Sequence, residues 1–146
     1  MANETRIHLK QKQAPLNFEV YDELGHVLLT DSSPETGGVN AGFRPMTLLL
    51  AGIASCSSID VVLILQKQKY EVEDIQVAVK GVRADSIPTV FTDIHLAFHV
   101  EGDIPAEKVK RAIDLSMERY CSVAAMLNKV ATITYAFTLN EEKIPS

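Results

Sequence analysis

The stretch PMTLLLAGIASCSSIDVVLILQKQKY, from Pro45 to Tyr70, is apolar along most of its length. Its apolar residues follow helical spacing, and Pro45 suits the first turn of a helix, where a backbone N–H is not needed. From position 45 to 65 only Asp60 is charged, and the length approaches that of a membrane span. A mid-span carboxylate among several hydroxyls is costly in hydrocarbon, so we interpret the stretch as a long central helix buried by protein. Because a single small sheet could hardly cover a helix that is apolar nearly all round, we expect a second subunit to cover it.

The residues on both sides of this helix alternate between apolar and polar, which is typical of half-buried strands. A second helical pattern is predicted over residues 106–128, with Val109, Ile113 and Met117 spaced by three or four positions. The predicted strands cover residues 5–12, 16–22, 26–30, 74–82, 90–100 and 132–139. No linker or repeat divides the 146 residues, so we predict one α+β domain, residues 1–146, with the order βββ-α-ββ-α-β.

The composition is that of a globular protein, with 47% hydrophobic residues, a net charge of −5 and no basic stripe. This balance argues against nucleic acid or an acidic membrane as a partner, because phosphate binding needs clustered Lys and Arg. The first six residues lack the apolar run of a signal peptide. We therefore expect a cytoplasmic protein, in which any disulfide would be transient and catalytic rather than structural.

The chain has two cysteines, Cys56 and Cys121, which stand 65 positions apart. They share no CxxC loop, and two thiolates alone cannot complete a tetrahedral metal site. Together they could form one redox couple if the fold brings them together. The alternative is that each cysteine acts only as a small hydrophobic residue that packs in the core.

Asp60 follows Cys56 by four positions and therefore lies on the same face of the predicted helix. It is a candidate site residue, because it is the one charge in the apolar stretch; the alternative is a structural salt bridge or a hydroxyl partner. Arg44 and Arg119 are candidate partners for a thiolate, although each could equally be a solvated charge.

His95 and His99 have the spacing of zinc ligands on a helix, but they fall in a predicted strand. Residues four apart on a strand are separated by about 13 Å, too far to share one ion. We predict that both histidines mark the solvated face of the sheet. Neither a metal site nor a nucleotide-binding loop is indicated, and no cofactor is expected.

Two motifs carry a resemblance to a known family. They are Pro45-Met46-x-Leu48-Leu49-x-Ala51-x-x-Ala54-Ser55-Cys56 and Tyr120-Cys121-Ser122-Val123. In these motifs and in the order of its elements the chain resembles the OsmC/Ohr family of osmotically inducible and organic-hydroperoxide-resistance proteins, and most of all its less characterised OsmC-like branch.

The resemblance implies an intertwined homodimer, in which sheets wrap two long central helices and the active sites lie at the subunit interface. It implies that Cys56 is the peroxidatic cysteine, whose thiolate attacks an organic hydroperoxide and becomes a sulfenic acid. Cys121 would then be the resolving cysteine, forming a disulfide that an external dithiol reduces.

The chain departs from the peroxidases of this family in the groups that activate the thiolate. They carry a Glu after the proline, where this chain has Met46, and an Arg from the N-terminal strands that has no clear counterpart here. The second cysteine is commonly followed by Pro, which is Ser122 here. Asp60 with Arg44, from either subunit, is our hypothesis for a substitute arrangement.

We therefore predict a Cys-dependent redox protein that reduces organic hydroperoxides. The alternative is a non-catalytic dimeric module that binds an apolar or acyl ligand in the same interface pocket. A purely structural interaction protein is the third interpretation.

Overall fold

The computed structural model describes residues 3–141. The chain forms two compact units, and the boundary between them lies between Leu49 and Leu50. The predicted α+β architecture and element order are confirmed, with three strands, a long helix, two strands, a helical segment and a last strand. That residues 1–146 form a single domain stays a prediction.

The first unit is built on a three-stranded antiparallel sheet. Its strands are β1 (Ile7–Gln11), β2 (Phe18–Asp22) and β3 (Val27–Thr30), and they lie in the order β1-β2-β3. The tight turn between β2 and β3 is held by Asp22, whose Oδ1 accepts the backbone N–H groups of Leu24 and His26. Gly25 in this turn has a φ of +89°, a conformation that favours glycine.

The long helix α1 (Pro45–Lys67) begins at the predicted residue. It ends three residues earlier than predicted, because Lys69 turns into the left-handed conformation with a φ of +66°. The N–H of Tyr70 then donates to the Leu65 carbonyl, which closes the helix end.

Within one chain, α1 is buried along a narrow stripe. The fully buried residues recur every four positions and are Ile53, Ser57, Val61 and Leu65. By contrast Ile59 is 60% and Leu63 49% exposed. The helix is long and apolar enough to cross a membrane by length and composition, a property that core helices of soluble proteins share. A large apolar face of α1 is therefore uncovered in the single chain.

The second unit contains a three-stranded sheet with β5 in the centre. Its strands are β4 (Asp74–Arg83), β5 (Phe91–Glu101) and β6 (Thr132–Leu139). β4 pairs antiparallel with β5, and β6 pairs parallel with β5. A parallel neighbour requires a crossover connection. Here the crossover contains α2 (Ala106–Leu115), a single π-helical turn (Ser116–Tyr120) and α3 (Ser122–Leu127).

The prediction of one continuous helix over residues 106–128 is wrong at Cys121. Its backbone has an extended conformation, with φ −72° and ψ 107°, and separates the π-helical turn from α3. The Cys121 N–H donates to the Ser116 carbonyl five residues earlier, which widens the last turn before the break. Apolar spacing persists across the break, so the sequence pattern reads as a single helix.

The prediction that His95 and His99 both lie on a solvated face is wrong for His99. His95 is exposed, but His99 is fully buried, with Nδ1 2.7 Å from the Thr138 hydroxyl. Alternation along a strand assigns side chains to a face, but it does not say which parts of that face are covered.

Candidate active site

Cys56, Asp60 and Cys121 meet in the second unit. The two sulfur atoms and a carboxylate oxygen of Asp60 all lie within 4.8 Å of one another. α1 supplies Cys56 and Asp60 from consecutive turns, since residues four apart share a helix face. The break between the π-helical turn and α3 supplies Cys121. The fold thus brings together two cysteines that are 65 positions apart.

Cys121 is a buried thiol held by the first turn of α3. Its side chain is 2% exposed, and its sulfur accepts the N–H of Ala124 at 3.3 Å. Burial raises the pKa of Cys121 to about 11; the Ala124 N–H partly offsets this effect, and the neighbouring Cys56 sulfur adds to it. Cys121 is therefore protonated at neutral pH.

Cys56 is a half-buried thiol in the middle of α1. The adjacent hydroxyl of Ser57 is fully buried and donates to the Ile53 carbonyl at 2.7 Å, within its own helix. The proton of the Ser57 hydroxyl is therefore already used in a hydrogen bond to the helix backbone. Cys56 is the more accessible of the two thiols, which suits it for the first encounter with a substrate.

Asp60 has a hydroxyl partner rather than a salt bridge within the second unit. The buried Ser116 hydroxyl donates to Asp60 Oδ2 at 3.0 Å. Among residues 50–141, no Lys or Arg forms an ion pair with Asp60. Of the two structural interpretations of this residue, the hydroxyl partner is the one observed.

The two candidate arginines have other partners. The Arg44 guanidinium belongs to the first unit, where it donates to the Asn40 side chain and, at 3.5 Å, to the Gly42 carbonyl. The Arg119 guanidinium lies over the ring of Tyr120, 5.6 Å from its centre. The pairing of Arg44 with Asp60 stays a prediction.

A groove of about 440 Å³ opens beside Asp60. Its apolar wall is formed by Leu63 and Ile64 of α1 together with Leu115 and Tyr120 from the crossover. Asp60, Lys67 and Gln68 also line the groove, so the carboxylate that neighbours the two sulfurs borders it as well. Such a groove suits the organic part of a small molecule.

Comparison with known proteins identifies the family. The OsmC family model, described as "OsmC-like protein", matches residues 37–136, a range that includes Cys56, Asp60 and Cys121. The chain belongs to the OsmC family.

One relative of this OsmC-family chain is Protein YhfA of Escherichia coli strain K12, which is 42% identical over 117 residues, covering 77% of this chain and 82% of YhfA. A crystal structure of a protein from Aquifex aeolicus VF5 is 29% identical, with a TM-score of 0.79 over 96% of this chain and 100% of that one. An organic hydroperoxide resistance protein OsmC from Legionella pneumophila is similar, with a TM-score of 0.72 over 94% of this chain and 98% of that one. At 17% identity, this last likeness shows the fold alone.

Sequence reasoning missed Ser116 in this OsmC-family site. The residue lies three positions after Ile113 and four after Ala112, both of which are buried. A hydroxyl on the buried stripe of a helix needs a partner, and that requirement was the available signal. Its partner, Asp60, lies on a different helix, so the sequence alone does not identify the pair.

Proposed function

We propose that this protein is a thiol-dependent peroxidase that reduces organic hydroperoxides. The observation that carries the proposal is the position of the Cys56 and Cys121 sulfurs within 4.8 Å of each other. A disulfide needs about 2.05 Å between the sulfurs, so the two atoms must approach each other by no more than about 2.8 Å. Membership of the OsmC family supports the same chemistry, because some structural neighbours are named organic hydroperoxide resistance proteins.

In the proposed reaction, the Cys56 thiolate attacks the terminal oxygen of the hydroperoxide. The O–O bond breaks, the alkoxide takes a proton and leaves as the alcohol, and Cys56 becomes a sulfenic acid. The Cys121 sulfur then attacks the Cys56 sulfur, and the sulfenic hydroxyl leaves as water with the Cys121 proton. An external dithiol reduces the resulting disulfide and restores both thiols.

The environments of the two thiols support these separate roles. The half-buried Cys56 is accessible to a substrate, whereas Cys121 is buried and protonated at neutral pH because burial raises its pKa. A protonated thiol is a poor nucleophile toward the peroxide but carries the proton that the leaving hydroxyl needs. In this proposal Asp60 positions the reacting groups, with Arg44 of either subunit as the predicted activating cation.

The groove beside Asp60 supports a substrate with an apolar group. Its wall of aliphatic side chains and the Tyr120 ring offers contacts to an alkyl or aryl group that hydrogen peroxide lacks. Organic hydroperoxides are therefore the proposed substrate class.

A homodimer is part of the proposal. Ile59 and Leu63 leave a large apolar surface of α1 uncovered in one chain, and a second copy is the partner that would bury it. We also propose a cytoplasmic location, where the external dithiol is available and both thiols stay reduced between turnovers.

The test is to treat the reduced protein with cumene hydroperoxide and to follow intact mass and free thiols. The expected result is loss of both thiols and of two hydrogen atoms within one chain. Cys56→Ser should abolish the reaction, and Cys121→Ser should stop at a sulfenic acid that dimedone traps. Asp85→Asn, in an exposed turn, is the matched control and should react as the wild type does.

A rate no faster than that of a free small-molecule thiol would overturn the peroxidase proposal. The groove favours a second candidate function, the non-catalytic binding of an apolar or acyl ligand. Unreacted thiols in a protein that purifies with a bound lipid would support that function instead.

A further inference from the structure

The cluster of Cys56, Asp60 and Cys121 has the donor set of a metal site. Three donor atoms that lie within 4.8 Å of one another fit around a common point that is no more than about 2.8 Å from each. Typical Zn–S and Zn–O bonds are about 2.3 Å and about 2.1 Å, so each donor would move inward by less than ~1 Å. Cys56 and Asp60 are both only half-buried, so the site is open to an ion from solvent.

The chemistry of the donors selects the kind of ion. Two thiolates and one carboxylate suit zinc, whereas magnesium and calcium prefer sites made of oxygen ligands alone. Three protein ligands also leave the fourth tetrahedral position open to water. The two thiolates alone cannot complete a zinc site, and Asp60 supplies a third donor that the predicted absence of a metal site did not include.

Two of the three donors are already oriented by hydrogen bonds from neighbouring groups. The Ser116 hydroxyl donates to Asp60, and the Ala124 N–H donates to the Cys121 sulfur. Outer hydrogen bonds of this kind fix metal ligands in the binding geometry. Within residues 50–141 no Lys or Arg pairs with Asp60, so a divalent cation would also supply the positive charge that the cluster lacks.

We propose that the reduced protein binds one Zn²⁺ per chain through Cys56, Asp60 and Cys121. Binding would displace the thiol protons and leave the fourth position on the ion to a water molecule. This inference goes beyond the proposed function, because zinc binding requires neither a hydroperoxide nor an external dithiol.

Zinc and a disulfide exclude each other at this site. When a hydroperoxide oxidises the zinc-bound pair, the two thiolates lose two electrons and join, and the O–O bond breaks. Two protons from solvent complete the alcohol and water, and Zn²⁺ is released. Zinc would therefore protect the thiols at rest, and an organic hydroperoxide would release the ion.

The test is a competition between the reduced protein and a chromogenic zinc chelator, without any peroxide. The expected result is one Zn²⁺ per chain, at least 100-fold weaker binding in Cys56→Ser and Cys121→Ser, and at least tenfold weaker binding in Asp60→Asn. Asp85→Asn is the matched carboxylate control and should bind as the wild type does. Replacing Ser116 with alanine should weaken binding by about tenfold, the lower limit for losing an outer hydrogen bond.

Measurements on the wild type keep the test independent of how the variants fold. Zn²⁺ should protect both thiols from iodoacetamide, and Co²⁺ should show the near-ultraviolet absorption of two thiolate ligands. Binding of less than one ion per chain, or thiols that react equally fast with and without Zn²⁺, would overturn the proposal. So would an Asp60→Asn protein that is folded by circular dichroism and binds zinc as tightly as the wild type.

Discussion

Replacing Ser116 with alanine tests whether the contact between the crossover and α1 supports the site. Ser116 is fully buried, and its hydroxyl donates to Asp60 Oδ2 at 3.0 Å. The Ser57 carbonyl lies 3.5 Å from the same hydroxyl, at the limit of a hydrogen bond. The substitution therefore removes one good hydrogen bond to a carboxylate and leaves the chain otherwise unchanged.

The magnitude follows from the partner and its surroundings. A hydrogen bond to a charged group contributes about 1.5–3 kcal/mol to stability. The loss on removing it is largest when the remaining partner stays buried and cannot bond to water instead. Asp60 lines an open groove, so water can replace part of the lost bond. We expect Ser116→Ala to lower the free energy of unfolding by about 1–2 kcal/mol and the melting temperature by about 3–7 °C.

The assay is urea and thermal unfolding of the reduced protein at one fixed concentration, because the stability of an oligomer depends on concentration. Ser86→Ala, in an exposed turn, is the matched control and should change the stability by less than about 0.5 kcal/mol. In a double-mutant cycle with Asp60→Ala, the coupling energy should reach about 1 kcal/mol. A loss below about 0.5 kcal/mol for Ser116→Ala, or strictly additive losses, would contradict a stabilising hydrogen bond between Ser116 and Asp60.

Three further predictions concern stability. Because burial raises the pKa of Cys121 to about 11, its protonated thiol stabilises the fold below about pH 9, and this contribution is lost as the pH rises toward 11. We therefore expect the free energy of unfolding, measured by urea denaturation, to fall between pH 8 and pH 11 by about 2–3 kcal/mol more in the wild type than in Cys121→Ala. Equal decreases in the two proteins would contradict this prediction. Gly81→Ala should cost about 1–3 kcal/mol, since the new Cβ would lie 2.5 Å from the Phe91 ring. Gly52→Ala should stabilise the protein by about 0.5–1 kcal/mol, because its Cβ would contact Val123 at an ordinary distance of 3.8 Å. Thermal unfolding should therefore show a lower melting temperature for Gly81→Ala and a higher one for Gly52→Ala than for the wild type.

Much of the fold follows from local patterns in the sequence. Pro45 and the apolar spacing after it predict where α1 begins, and the alternating segments predict the strands and their order. The end of α1 does not follow, because it depends on the left-handed conformation of Lys69, a residue with no intrinsic preference for it. The break at Cys121 is also hidden, since it changes the backbone hydrogen bonds but preserves the apolar spacing.

The site could be predicted only in part. Helical spacing places Asp60 beside Cys56, because both lie on one element. Local patterns cannot bring Cys121 to the same place, and only the family resemblance predicted that proximity. Ser116 was missed because a hydrogen bond between two helices depends on how they pack, which no spacing along one helix reveals. The role of Arg44 in the site stays a prediction.

The separation of the two sulfurs along the chain has a consequence for the lifetime of the protein. A bond between Cys56 and Cys121 would enclose β4, β5 and α2 in one covalent ring. A ring of this size removes about 4 kcal/mol of unfolded-chain entropy. The disulfide form would therefore be more stable against unfolding than the metal-free reduced form, so proteases would degrade mainly the metal-free reduced form.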